Sequence, residues 1–180
     1  LDALRLDAIH AIGDSSAVPV LEEIAEACRR KASTLKRPFH LIGESGVDMV
    51  RRVPGRALAG PSLDGEWRDD FHHCLHVLLT RERIGYYAPF GGVAQFARVW
   101  KAAHADQSVA AAAPNRRRKG APPPAKAAVV YSQNHDQVGN RLRGERLAAL
   151  VSFEAQKLAA ATVLLSPFIP LLFMGEEYGE

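Results

Sequence analysis

Cysteine is scarce: Cys28 and Cys74 are the only two among 180 residues. Two are too few for a disulfide framework, and both lie in helix-like stretches, so they read as buried thiols of a cytosolic protein. No run of about 18 apolar residues occurs, which excludes a transmembrane helix, and no secretory signal is visible. Strong charge of one sign is also lacking. The formal net charge of +3 argues neither for nor against a polyanionic partner. The one basic run, Arg116-Arg117-Arg118-Lys119, has no aromatic neighbours, so no nucleic-acid partner is expected. The G-x-G-x-x-G fingerprint is absent, which removes an open dinucleotide-binding sheet, and no cofactor is expected. His72 and His76 stand at i, i+4 beside His73, yet no ligand cluster completes a metal site, and none is expected.

What is present alternates strand and helix. Residues 1–7 form a near-continuous apolar run, suited to a strand covered on both faces. Pro19 opens a helical pattern with Val20, Leu21, Ile24, Ala27 and Cys28 on one side. Residues 39–43 read as a second strand, followed by a loop rich in Gly and Pro (Pro54, Gly55, Gly60, Pro61, Gly65). Asp69 or Asp70 can cap a helix carrying Phe71, Leu75, Leu78 and Leu79. Residues 104–128, rich in Ala, Pro and Arg without apolar period, read as a long loop. Residues 129–131 form a third strand. Ser152 caps a helix with Leu158, Ala161, Thr162 and Leu165 as its buried stripe, and residues 169–174 form a further strand. The fold class is therefore α/β. A complete (β/α)8 TIM barrel needs roughly 250 residues, so a partial barrel is expected. The chain begins without Met inside an apolar run and stops at Gly175-Glu176-Glu177-Tyr178-Gly179-Glu180, so both ends read as cut.

The strand ends carry the chemistry. In Arg5-Leu6-Asp7, residues 5 and 7 point to one face, and a cation beside Asp7 favours its ionised form. An ionised carboxylate can act as a nucleophile or stabilise an oxocarbenium ion. By itself the tripeptide fits a structural ion pair better. Glu44 follows an apolar strand with no adjacent cation in sequence, where desolvation would favour the protonated form a general acid needs. Asn134-His135-Asp136-Gln137 follows the third strand and offers four polar groups suited to sugar hydroxyls. The ordered set is more specific than any member: an Arg-x-Asp, a Glu and an Asn-His-Asp, each at a separate strand end, as βα barrels arrange their sites.

Arg5-Leu6-Asp7-Ala8-Ile9-His10, Gly43-Glu44 and Asn134-His135-Asp136 resemble three short motifs of glycoside hydrolase family 13, the α-amylase family. The resemblance implies the C-terminal part of a catalytic barrel, with Asp7 as nucleophile, Glu44 as proton donor and Asp136 as transition-state stabiliser. Arg5 and His135 would contact substrate. The stretches 67–73, 133–141 and 171–180 resemble the trehalose-releasing branch of that family. That finer likeness implies a substrate site lined by Arg5, His10, Asp69, Asp70, Phe71, His72, His73, His135, Gln137 and Asn140. It also implies an oligosaccharide partner, an α-1,4-glucan with a trehalose end. Other glucan hydrolases of the clan, a branching enzyme, or a remnant that binds glucan without cleaving it are the alternatives. The family's first motif, on an earlier barrel strand, is not in this chain.

Overall fold

The computed structural model describes residues 1–44, 63–112 and 127–180, and describes side chains for all of these except 104–112 and 127. It divides into two compact units, residues 1–67 with 105–128, and residues 68–104 with 129–180.

In the first unit, β1 (Ala3–Leu6) pairs in parallel with β2 (His40–Gly43), and β2 with β3 (Gly65–Trp67). The crossover between β1 and β2 is α1 (Val20–Leu35). Pro19 stands at its N-cap in extended conformation, a position where its missing N–H and fixed φ do no harm. Asp14 supplies the capping oxygen, accepting from the Val20 N–H at 2.5 Å. Glu22 and Glu23 lie in the first turn, where they complement the helix dipole. The core joins Ile9, Leu21, Ala25, Leu41 and Leu63, with Leu6, Val20, Ile24, Cys28 and Phe39 against them. Ala25 is buried and Ala27 exposed, so the helix is rotated slightly from the stripe expected. Cys28 is half-buried, not buried. Strand β3 was expected as loop. Three residues are too few for a readable alternation, and their extended form comes from pairing with β2. The remainder of that expected loop, residues 45–62, lies outside the described residues.

In the second unit, α2 (Asp69–Thr80) buries every residue from Phe71 to Val77, so the narrow stripe expected from the sequence understated its burial. Its N-cap is Arg68, with no side-chain cap. Asp69 and Asp70 sit in the first turn, where Asp70 Oδ1 accepts from the Phe71 N–H at 2.9 Å. Phe71 packs on Phe96, Trp100 and Phe168. Helix α3 (Val93–Ala112) continues through residues 104–112, part of the stretch expected as loop. Alanine has the highest helix propensity, which outweighs the missing apolar period there. Residues 113–126 lie outside the described residues. Strand β4 (Ala127–Val130) runs parallel to β5 (Ile169–Pro170). Between them come α4 (His135–Gly139), α5 (Leu147–Leu150) and α6 (Phe153–Leu164). Ser152 caps α6 as expected, accepting from the Ala155 N–H. Its buried face is Ala159 and Val163, while Leu158 is 58% and Leu165 83% exposed. A helix this evenly apolar offers no phase from which to read its inner face. The expected strand over 169–174 shortens to two residues.

Candidate active site

The parallel register places Arg5 beside Ile42 and Ile42 beside Gly65. Period-two alternation then carries Arg5, Asp7, Glu44 and Trp67 to one face of the three strands. On that face one guanidinium joins two carboxylates. Arg5 Nη1 lies 2.6 Å from Asp7 Oδ1, and Arg5 Nη2 lies 2.9 Å from Glu44 Oε2. The Ala8 N–H also donates to Glu44 Oε2 at 2.9 Å. Ala8 achieves this from the left-handed region, φ 43°, ψ 44°, a conformation that costs an L-residue about 1–2 kcal/mol. Glu44 was expected without a neighbouring cation. The structure supplies one, Arg5, distant in sequence but next to it in space because β1 and β2 pair in register, so the expectation of a carboxyl without a neighbouring cation does not hold.

The two carboxyl groups differ in exposure. The Asp7 side chain is 73% exposed and that of Glu44 15%. Two neighbouring carboxyl groups with different access to water can differ in how readily they ionise. Gly43 makes the local packing possible. A Cβ there would come within 2.6 Å of Leu63 Cδ1 and 2.9 Å of Ile9 Cδ1. His10 lies on the short helical turn Ile9–Ala11, half-buried.

The third expected carboxylate belongs to the second unit. Asn134 caps α4 with a capping box: its side chain accepts from the Asp136 N–H, while the Gln137 side chain accepts from the Asn134 N–H. The cap leaves His135 and Asp136 partly exposed, with His135 Nε2 3.4 Å from Asp136 Oδ1. Gln137 is buried in this role, whereas Asn140 is exposed.

The stretch 69–73 divides. Asp70 takes a two-pronged hydrogen bond from Arg68, Nε to Oδ1 at 2.9 Å and Nη2 to Oδ2 at 2.7 Å. Asp69 accepts from the Tyr131 hydroxyl. Phe71 and His72 have no exposed surface and lie in the core. His72 Nδ1 bonds the Ser132 carbonyl and its Nε2 the Tyr87 hydroxyl. His73 is buried beside Tyr86 and Phe90, and His76 Nε2 meets Glu82 at 2.8 Å. Each of His72 and His76 thus already has protein partners. Among the described residues no cluster of three or more His, Cys, Asp or Glu is placed to hold a metal, and no helix is long and apolar enough to cross a membrane.

Trp67, which no local sequence signal marks, has its ring 4.2 Å from the Arg5 guanidinium carbon; once β3 is known, alternation from Gly65 finds it. Glu176, likewise unmarked by any local signal, accepts from the Ser132 hydroxyl and from the Phe173 N–H.

No family model matches the chain. It is 43% identical, over its whole length, to a malto-oligosyltrehalose trehalohydrolase of Saccharolobus solfataricus, covering 31% of that protein. It is 42% identical over 99% of its length to the enzyme of the same name from Arthrobacter ramosus, covering 32% of it. A crystal structure of a protein from Salmonella typhimurium, assigned as an alpha amylase, superposes with a TM-score of 0.74 at 42% identity. That match covers all of this chain and 31% of the other. The chain spans about a third of the length of the relatives it matches, and a partial α/β barrel fits both the strand pattern and that likeness.

Proposed function

We propose, on the premise that this chain belongs among the malto-oligosyltrehalose trehalohydrolases over the third of their length it covers, that it carries the carboxylates of a retaining α-glucan hydrolase. Glu44 protonates the glycosidic oxygen while Asp7 attacks the anomeric carbon, so the C–O bond to the leaving sugar breaks as the bond to Asp7 forms. Water, deprotonated by Glu44, then displaces Asp7 and restores both groups. Asp136 holds substrate hydroxyls as positive charge develops on the sugar ring, and His135 and Arg5 assist. The bond cut is the α-1,4 linkage next to the trehalose end of a malto-oligosyltrehalose, in the cytoplasm, releasing free trehalose.

The observation that carries this reading is the shared guanidinium. Arg5 holds Asp7 and Glu44 as neighbours, and a retaining site needs its two carboxyls only about 5–5.5 Å apart. The experiment uses the full gene product that carries the chain. Malto-oligosyltrehalose and a plain malto-oligosaccharide of equal length are compared, and the new reducing end is followed by NMR. A retained α-anomer with kcat/KM favouring the trehalose-ended substrate is expected. An inverted product overturns the mechanism. Equal kcat/KM on the two substrates would instead favour a general α-glucan hydrolase, the reading that the likeness to the Salmonella structure favours.

A further inference from the structure

We propose that Trp67 is a positioning residue for the Asp7–Glu44 pair, its indole holding the Arg5 guanidinium where one cation reaches both carboxylates; this rests on the catalytic reading of that pair. The Arg5 Cζ stands 4.2 Å from the Trp67 ring centroid. Trp67 is only 9% exposed, so the platform is set in the packed wall of the unit, and its partner's side chain is 24% exposed. Trp is the strongest aromatic partner for a cation, more so where water is partly excluded.

The strand order places the platform within reach of the guanidinium. Arg5 stands on β1, Glu44 follows β2 and Trp67 ends β3, so the guanidinium must reach across β2. The edge of the planar group is engaged by Asp7 at Nη1 and Glu44 at Nη2. Those two ion-pair contacts engage the tips of a long side chain, and arginine has much rotamer freedom to lose. The indole, 4.2 Å from the guanidinium carbon, restricts that freedom. With the platform gone, the one guanidinium can shift toward either carboxylate, and the two lose their common reference. The loss then falls on the chemical step, which depends on their relative placement, more than on substrate affinity.

The test compares Trp67→Leu and Trp67→Phe in the full gene product, on malto-oligosaccharide and on α-glucosyl fluoride. For Trp67→Leu, kcat falls about tenfold or more while KM stays within about twofold, and Trp67→Phe, which restores a π-face, recovers most of the loss. Unchanged kcat in Trp67→Leu, or equal impairment in both variants, overturns the proposal. If Trp67→Leu does not fold, Trp67→Met against Trp67→Phe makes the same comparison, and equal kcat overturns it. A double-mutant cycle of Arg5→Met and Trp67→Leu, read by urea unfolding, needs no activity. A coupling of about two- to tenfold in the unfolding constant is expected, and strict additivity overturns the platform. A wild-type protein with no turnover on any α-glucan defeats the function proposed above, and the cycle then still decides whether Trp67 holds Arg5.

Discussion

The imidazole of His76 lies flat on the ring of Tyr87, with centroids 4.1 Å apart and planes 10° apart. Its Nε2 meets Glu82 Oε2 at 2.8 Å, and Arg141 Nη1 meets the same oxygen at 2.8 Å. Glu82 therefore ties α2 to the segment that follows α4, the helix bearing Asp136. Three buried histidines surround this tie. Burial holds His72 well below the usual imidazole range, brings His73 down to about 4, and lowers His76 despite the pull of Glu82. For Glu82, burial opposes ionisation, but the hydrogen bonds from His76 and Arg141 win and leave its carboxyl below the ordinary value of 4.5.

Acid should therefore unfold this unit. An imidazole whose folded pKa is depressed contributes stability that is present above its ordinary 6.5 and is lost as pH falls toward the folded value. The three histidines all act in that window, and Glu82 adds its own loss below 4.5. For His73 the shift from 6.5 to about 4 corresponds to about 3 kcal/mol at full effect. His73→Phe keeps a ring against Phe90 and Tyr86 and removes a buried Nδ1 that has no hydrogen-bond partner among the described residues. Urea unfolding at pH 7.5 and pH 5 should show His73→Phe gaining more at pH 5. An equal effect at both values would contradict the buried neutral imidazole.

Gly43 tolerates no side chain at its present packing. A Cβ would overlap Leu63 Cδ1 and Ile9 Cδ1, and overpacking of this kind costs about 1–3 kcal/mol. Both atoms are the far ends of side chains, so part of the strain can be relieved by trimming. Gly43→Ala should lower Tm, and Gly43→Ala with Leu63→Val should recover part of the loss. Tm unchanged in the single variant would show that the two side chains swing away without cost.

Glu176 presents the opposite sign. Burial raises its carboxyl above 4.5, against hydrogen bonds from Ser132 and Phe173 that lower it. A raised carboxyl contributes stability that is fully present below 4.5 and lost as pH climbs through the folded value. Glu176→Gln fixes the neutral form, its amide able to accept from the Phe173 N–H and to donate to the Ser132 hydroxyl. The variant should be as stable as wild type or more so at pH 7.5, with no advantage at pH 4. A clear loss at pH 7.5 would show that the ionised carboxylate is the form the loop needs.

Much of this was legible in the sequence wherever a residue's neighbours in space are also its neighbours in chain or period. Pro19, Ser152 and the strand ends at Asp7 and Glu44 were readable because caps and alternation are local. The cation on Glu44 was not, since it depends on the β1–β2 register. Trp67 was hidden for the same reason, inside a three-residue strand that exists only because β2 is beside it. The inner face of α6 was misread because Leu158 and Leu165 are as apolar as Ala159 and Val163, and hydrophobicity alone cannot choose among them. The resemblance puts His72 and His73 at a substrate site. The partners that hold the His72 ring, Tyr87 and Ser132, lie 15 and 60 residues away in sequence, beyond the reach of any local pattern.

The roles proposed for Asp7 and Glu44 make separable kinetic predictions. A nucleophile is needed for every substrate, because no glycosyl intermediate forms without it. Asp7→Ala in the full gene product should therefore lower kcat about a thousandfold or more on oligosaccharide and on α-glucosyl fluoride alike. A proton donor is needed only where the leaving group is a poor one. Glu44→Gln should lose about a hundredfold or more on oligosaccharide, the usual scale for general acid catalysis, and far less on the fluoride, whose departure needs no proton. Glutamine can still accept from the Ala8 N–H, so the strand end is expected to keep its shape, and a matching Tm would check this. The Arg5 contact sharpens the comparison. A Glu44 whose only role was to neutralise Arg5 would fail equally on both substrates when made neutral, because its loss would disturb Asp7 through the shared guanidinium. Equal losses on the two substrates therefore remove Glu44 as the acid, and unequal losses in the stated direction separate it from a structural partner of Arg5.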